Sequence, residues 1–96
     1  MKVHFTEAAN ESLVGIYNFI AKNSVRYAKI TVDRITRRAE RLSEDKLPGW
    51  MVPEYQDPNV REVLVKPYRI IFHVLKDRID VLAVIHGAKQ LPATMP

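Results

Sequence analysis

Arg69 and His86 are the two side chains best suited to chemistry. Arg69 lies inside the apolar run "KPYRIIFHV", residues 66–74. A guanidinium in such a place matches a phosphate group bidentately. His86 ends the run "IDVLAVIH", and an imidazole with a reference pKa of about 6.5 can serve as acid or base near neutral pH. If both point to the side of a sheet away from any helices, they make a site that could hold a phosphate ester and move a proton. Glu62 and His73 are further candidates for the same chemistry. Each has a structural reading beside it. Arg69 could form an internal ion pair with Glu62 or Asp80. His86 could cap the strand end by hydrogen bonding. His73 reads as a rim side chain, and His4 as structural or exposed. The histidines stand far apart, with no HxH or HExxH spacing, and there are no cysteines. No metal site is therefore expected. There is no glycine loop to cradle a phosphate and no nucleophile elbow, and no cofactor is expected.

The elements that must position these residues follow from periodicity. "KVHF" (2–5) alternates and reads as a strand. Thr6 suits a helix N-cap, with Glu7 favourable in the first turn. Ala9, Leu13, Ile16, Tyr17 and Ile20 then lie on one helical face. "KNS" (22–24) breaks the pattern, and Ser24 can cap a second helix whose inner face is Ala28, Val32, Ile35, Ala39 and Leu42. Its polar side carries Arg34, Arg37, Arg38 and Arg41, which reads first as a solvated face. So short a break predicts an antiparallel helix hairpin. "KLPGWMVPEYQDPN" (46–59) is rich in proline and reads as a loop, with Trp50 packing it onto the domain.

From residue 60 the period becomes two. "VREVLVK", "YRIIFHVL" and "IDVLAVIHG" predict three strands in an antiparallel meander. Strict alternation puts Tyr68, Ile70, Phe72 and Val74 on one face, and Arg69, Ile71, His73 and Leu75 on the other. In the last strand it sets Val81, Ala83 and Ile85 against Leu82, Val84 and His86. Both faces are thus partly apolar, and a helix hairpin covers only one. The second face is expected to be covered by a partner chain, the tail "AKQLPATMP" or a ligand. The fold class is α+β, one domain over residues 1–96 in the order β-α-α-β-β-β.

The net charge of +4 is uneven. Residues 24–46 carry seven basic and four acidic side chains, and 47–59 is acidic by two. A basic excess favours acidic or polyanionic partners. No apolar run approaches the roughly 20 residues that span a bilayer, and the start "MKVHFTEAAN" lacks the apolar stretch of a secretory signal. A cytoplasmic protein with no membrane partner is expected.

"FTEAANESLVGIYNFI", the basic second helix, "GWMVPE" and "VREVLVKPYRIIFHV…IDVLAVIHGAK", in this order, resemble the ParE/RelE superfamily of toxins from type II toxin–antitoxin modules, including plasmid-stabilization systems. The resemblance implies a cognate antitoxin of the ParD or RelB kind, with an acidic segment that wraps the toxin. DNA would be met only indirectly, through the antitoxin. Two activities occur in the superfamily. RelE-like members cleave mRNA on the ribosome, and ParE-like members inhibit DNA gyrase by binding it. Metal-independent RNA cleavage needs a base, an acid and a cation for the phosphorane-like transition state, and Arg69 with His86 would be the catalytic residues. The ending "VIHGAK" looks closer to the ParE side, and the tail lacks the further basic residues and tyrosine usual in ribonucleases. The expected reading is a ParE-like gyrase inhibitor; the alternatives are a RelE-like endoribonuclease and a degenerate homologue that only binds antitoxin. Arg61, Arg69, His86 and Lys89 are expected to meet the target. Ile16, Ile71, Leu82 and Val84 are expected to meet the antitoxin.

Overall fold

A computed structural model of the chain describes residues 1–46 and 48–87. The elements are β1 (Lys2–Phe5), α1 (Glu7–Ala21), α2 (Val25–Glu40), a 3₁₀ turn (Arg41–Glu44), β2 (Trp50–Met51), β3 (Val60–Val65), β4 (Tyr68–Val74) and β5 (Arg78–His86). The fold is α+β, with the expected order and one added strand, β2, inside the segment read as loop. The sheet order is β1-β5-β4-β3-β2. β3, β4 and β5 form the antiparallel meander, while β1 joins β5 in parallel, Lys2 opposite Arg78 through Phe5 opposite Val81.

Both helices begin where a hydroxyl can accept an orphan backbone N–H. The Thr6 hydroxyl accepts from Ala9 N at 3.1 Å, and the Ser24 hydroxyl accepts from Tyr27 N at 3.0 Å. The buried stripe of α2 is Ala28, Thr31, Ile35 and Ala39, continued by Leu42 in the 3₁₀ turn. Thr31 takes the inner position expected of Val32, and its buried hydroxyl has no hydrogen-bond partner among the described residues. The hairpin covers one sheet face. Ile35 and Leu42 pack there on Ile70, Phe72, Ile79 and Val81, all at most 1% exposed. Each such side chain contributes about 1.5–3 kcal/mol of burial free energy.

Two features differ from strict alternation. The β4–β5 register shifts between Ile71, opposite Ala83, and Phe72, opposite Val81, so Leu82 is an extra residue. Such a bulge reverses the faces beyond it. Val84 therefore joins Val81 in the helix-side core, whereas Leu82 and Ile85 pack around Ile71 on the other face. Thr6 holds the bulge: its hydroxyl donates to Val81 O at 2.8 Å and lies 3.3 Å from Leu82 O.

The second difference concerns cover for the other face. The chain's own loop supplies cover over Ile71, which the sequence reading did not expect; the tail "AKQLPATMP" lies outside the described residues. Val52 is fully buried against Ile71, with Tyr55 and Val60 beside it. Arg61 ties the loop down. Its Nε donates to Pro48 O at 2.7 Å, its Nη2 to Gly49 O at 2.8 Å and its Nη1 to Pro58 O at 3.2 Å. Gly49 has φ +67°, and a Cβ there would collide with the Glu62 carbonyl. Trp50, expected to pack the loop down, is instead exposed.

Candidate functional site

Arg69 is buried and held by carboxylates. Its Nε donates to Glu62 Oε1 at 2.7 Å and its Nη2 to Glu62 Oε2 at 3.2 Å. Nη1 donates to Glu54 Oε2 at 3.1 Å, and Nη2 also donates to Glu54 Oε1 at 3.0 Å. Glu62 stands on β3, diagonally across from Arg69 on the same face, since Leu64 is the residue opposite. Glu54 comes from the loop. The hydrogen bonds to Glu54 and Glu62 raise the arginine's pKa further above its ordinary value. A phosphate entering here would have to displace a carboxylate and would face two groups of its own sign. The arrangement is that of a structural clamp. Asp80, expected as a partner, instead accepts from Arg78 Nε at 2.9 Å and lies 3.3 Å from His4 Nδ1.

His86 does not share a face with Arg69. It sits directly opposite Tyr68, whose side chain belongs to the helix-side core. The two rings meet edge to face, with centroids 5.9 Å apart and planes at 76°. The bulge at Leu82 is the reason, because it reverses the faces of the residues that follow. The pair named as acid–base and cation is therefore not assembled. His73 is half-buried, opposite Val60 and Asp80. Among the described residues no cluster of metal-ligating side chains occurs.

An open cleft of about 580 Å³ borders Arg69 and is walled by Glu54, Glu62, Leu64, Lys66 and Tyr68. Two further open clefts lie among the described residues. One, of about 680 Å³, runs between α1 and the ends of β4 and β5, and its walls include Gly15, Ile16, Phe19, Tyr68, Val84 and His86. Phe19 is 70% exposed, and a Cβ on Gly15 would meet nothing. The other, of about 370 Å³, is walled by Arg34, Arg37, Arg38 and Arg41 against Leu64 and Val65. Arg34 Nη2 donates to Lys66 O at 2.9 Å.

Over residues 3–91 the chain matches the family model described as ParE toxin of type II toxin-antitoxin system, parDE. The chain belongs to the ParE toxin family. Among solved structures it is similar to a chain of the chromosomal ParDE TA system from P. aeruginosa, with a TM-score of 0.74 and 24% identity over 90% of this chain and 95% of that one. No curated protein matches it in sequence. A toxin–antitoxin context and the ParE-type fold are thereby established.

For this ParE-family chain the structure redistributes the residues read from sequence. Of those expected to meet an antitoxin, Ile71 and Val84 are core residues, 0% and 3% exposed. Val52 covers the first, and the bulge turns the second inward. Ile16 lines the α1 cleft, and Leu82 is half-buried beside Ile71. Of those expected to meet a target, Arg61 and Arg69 are engaged inside the fold, His86 is at the exposed end of β5, and Lys89 lies outside the described residues. Sequence reading missed Glu54, Phe19 and Leu64. Phe19 lies off the apolar stripe of α1, and a large aromatic at such a position was the available signal. No helix among the described residues is long and apolar enough to cross a membrane.

Proposed function

We propose that this ParE-family chain is a toxin that acts by binding DNA gyrase, and that a cognate antitoxin with an acidic segment neutralises it. The observation that carries the reading is the separation of Arg69 from His86. Arg69 is clamped by Glu54 and Glu62 on one face, and His86 meets Tyr68 edge to face on the other. Metal-independent RNA cleavage needs a cation and an acid–base group around one phosphate. A protein-binding toxin needs neither, and membership of the ParE family points the same way. The apolar cleft beside Phe19 and Gly15 suits a partner's amphipathic helix, because a strip of exposed apolar side chains gains when covered. A gyrase target implies a cytoplasmic site of action.

Purified chain tests this directly. Inhibition of gyrase supercoiling, with mRNA left intact on translating ribosomes, is expected. Ribosome-dependent mRNA cleavage without effect on gyrase would replace this reading with the ribonuclease one. Gly15→Trp would fill the α1 cleft without disturbing the helix interior. It is expected to keep the helical spectrum while losing neutralisation by its cognate antitoxin.

A further inference from the structure

Trp50 is the chain's only tryptophan, and it is 65% exposed. Its backbone is nevertheless held on both sides. Before it, Gly49 has φ +67°, and Arg61 donates to Pro48 O and Gly49 O. After it, Val52 is fully buried, and its N donates to Val60 O at 3.2 Å. Trp50 itself pairs with Glu62 in the sheet. The fold thus fixes the chain around Trp50 and leaves the indole outside. An aromatic side chain on a fixed backbone binds with little ordering cost. Tryptophan is also among the residues that carry most of the energy of protein contacts.

Residues directly opposite each other share a face of a sheet, so Trp50 stands on the face of Glu62 and Arg69, away from the helices. Leu64 lies two residues beyond Glu62 on that face and is 49% exposed. Such a diagonal pair is about 7–8 Å apart. Leu64 and Pro53 are also walls of the cleft of about 580 Å³ beside Arg69. An exposed indole, an exposed leucine and an open cleft therefore lie together on one side of the sheet.

We infer that Trp50, with Leu64 beside it, is the anchor by which this toxin holds gyrase, and that the gyrase surface offers the indole an apolar pocket with a basic rim. Charge decides among the possible occupants. Residues 47–59, which carry Trp50, hold two acidic and no basic side chains. An acidic antitoxin segment or a nucleic acid would meet its own sign here, and a second copy of the chain would set two such loops against each other. A basic rim is complementary to the loop. Arg61, read from sequence as a target contact, acts from behind this surface by holding the loop that displays Trp50. The inference deepens the gyrase part of the preceding reading and rests on it for the partner's identity; it makes no use of the antitoxin.

The test compares the full chain with Trp50 variants in gyrase supercoiling. Trp50→Ala should keep the parent's melting temperature and its binding to the cognate antitoxin, because the side chain packs on nothing it would leave empty. It should need about thirtyfold more protein for half inhibition of gyrase. Trp50→Phe should fall between the two, and Trp50→Lys should inhibit more weakly than Trp50→Glu. Parent chain carrying hydroxytryptophan at position 50, excited apart from the tryptophans of gyrase, should become shielded from acrylamide in the complex. Four results would each overturn the inference: Trp50→Ala that inhibits as well as the parent, Trp50→Ala that loses the antitoxin to the same degree, an indole still open to acrylamide in the complex, or a parent that dimerises where Trp50→Ala does not. If the parent inhibits gyrase and any of these appears, this inference falls alone. If the parent leaves gyrase untouched, the preceding reading falls and this one with it.

Discussion

Arg69 and the arginines of α2 are the same residue in opposite situations. Arg69 stands in a buried strand, with Glu54 and Glu62 at hydrogen-bonding distance on either side. Arg38 on α2 and Arg41 at the start of the 3₁₀ turn face an open cleft. The first has its charge answered within the fold, and the second pair presents charge to whatever approaches. An arginine's role is set by the carboxylates that reach it, and those are placed by tertiary structure.

The largest effect expected from this contrast is on stability. Arg69→Met leaves two carboxylates on a shielded face without their cation, and should cost about 3–5 kcal/mol. Arg38→Ala should stay within about 0.5 kcal/mol of the parent. Urea unfolding of both variants measures the gap, and equal, small losses would dissolve the distinction. Any loss of toxicity in Arg69→Met should then follow its folded fraction and be recovered on cooling.

A smaller effect is expected at Gly49, which sets the path of the loop carrying Glu54. Gly49→Ala places a Cβ against the Glu62 carbonyl in the left-handed region. It should cost at least about 1–2 kcal/mol. If the loop is what seals the second sheet face, the variant should also expose Ile71 and bind a hydrophobic dye. An unchanged melting temperature would show that the loop can shift without loss.

The smallest effect belongs to an exposed counterpart of the Arg69 clamp. Hydrogen bonding and charge from Arg78, with a lesser contribution from His4, hold the Asp80 carboxyl below its ordinary pKa, against the opposing effect of burial. A depressed folded pKa means stability that is fully present above the unfolded value of about 3.9 and lost as pH falls through the lower folded value. The melting temperature of the parent should exceed that of Asp80→Asn at pH 6. The gap should close below about pH 4. A gap that widens in acid would reverse the assigned sign.

The local elements were legible in the sequence. Thr6 and Ser24 cap the helices at the expected positions, Ile35, Ala39 and Leu42 face the core, and Ile70 and Phe72 lie under the helix hairpin. Each depends on neighbours a few residues away, so period and capping chemistry suffice. The candidate site was less legible. A single extra residue, Leu82, cannot be seen in a run as uniformly apolar as "VLAVI", yet it moves Val84 and His86 to the other face. Glu54 is one carboxylate in a proline-rich loop, and nothing local says that it ends beside Arg69. Its partnership rests on contacts between residues distant in the chain.

By itself the sequence determined the helix hairpin, the meander and the excess of positive charge, because these follow from short-range pattern and composition. Tertiary structure alone decided which arginine is answered inside the fold and which faces outward. It also decided that Arg69 and His86 part company and that a loop covers Ile71 on the second face. The physical reason is that burial and pairing are properties of where distant segments meet, and a one-residue bulge or a carboxylate on a loop changes that meeting without changing any local pattern.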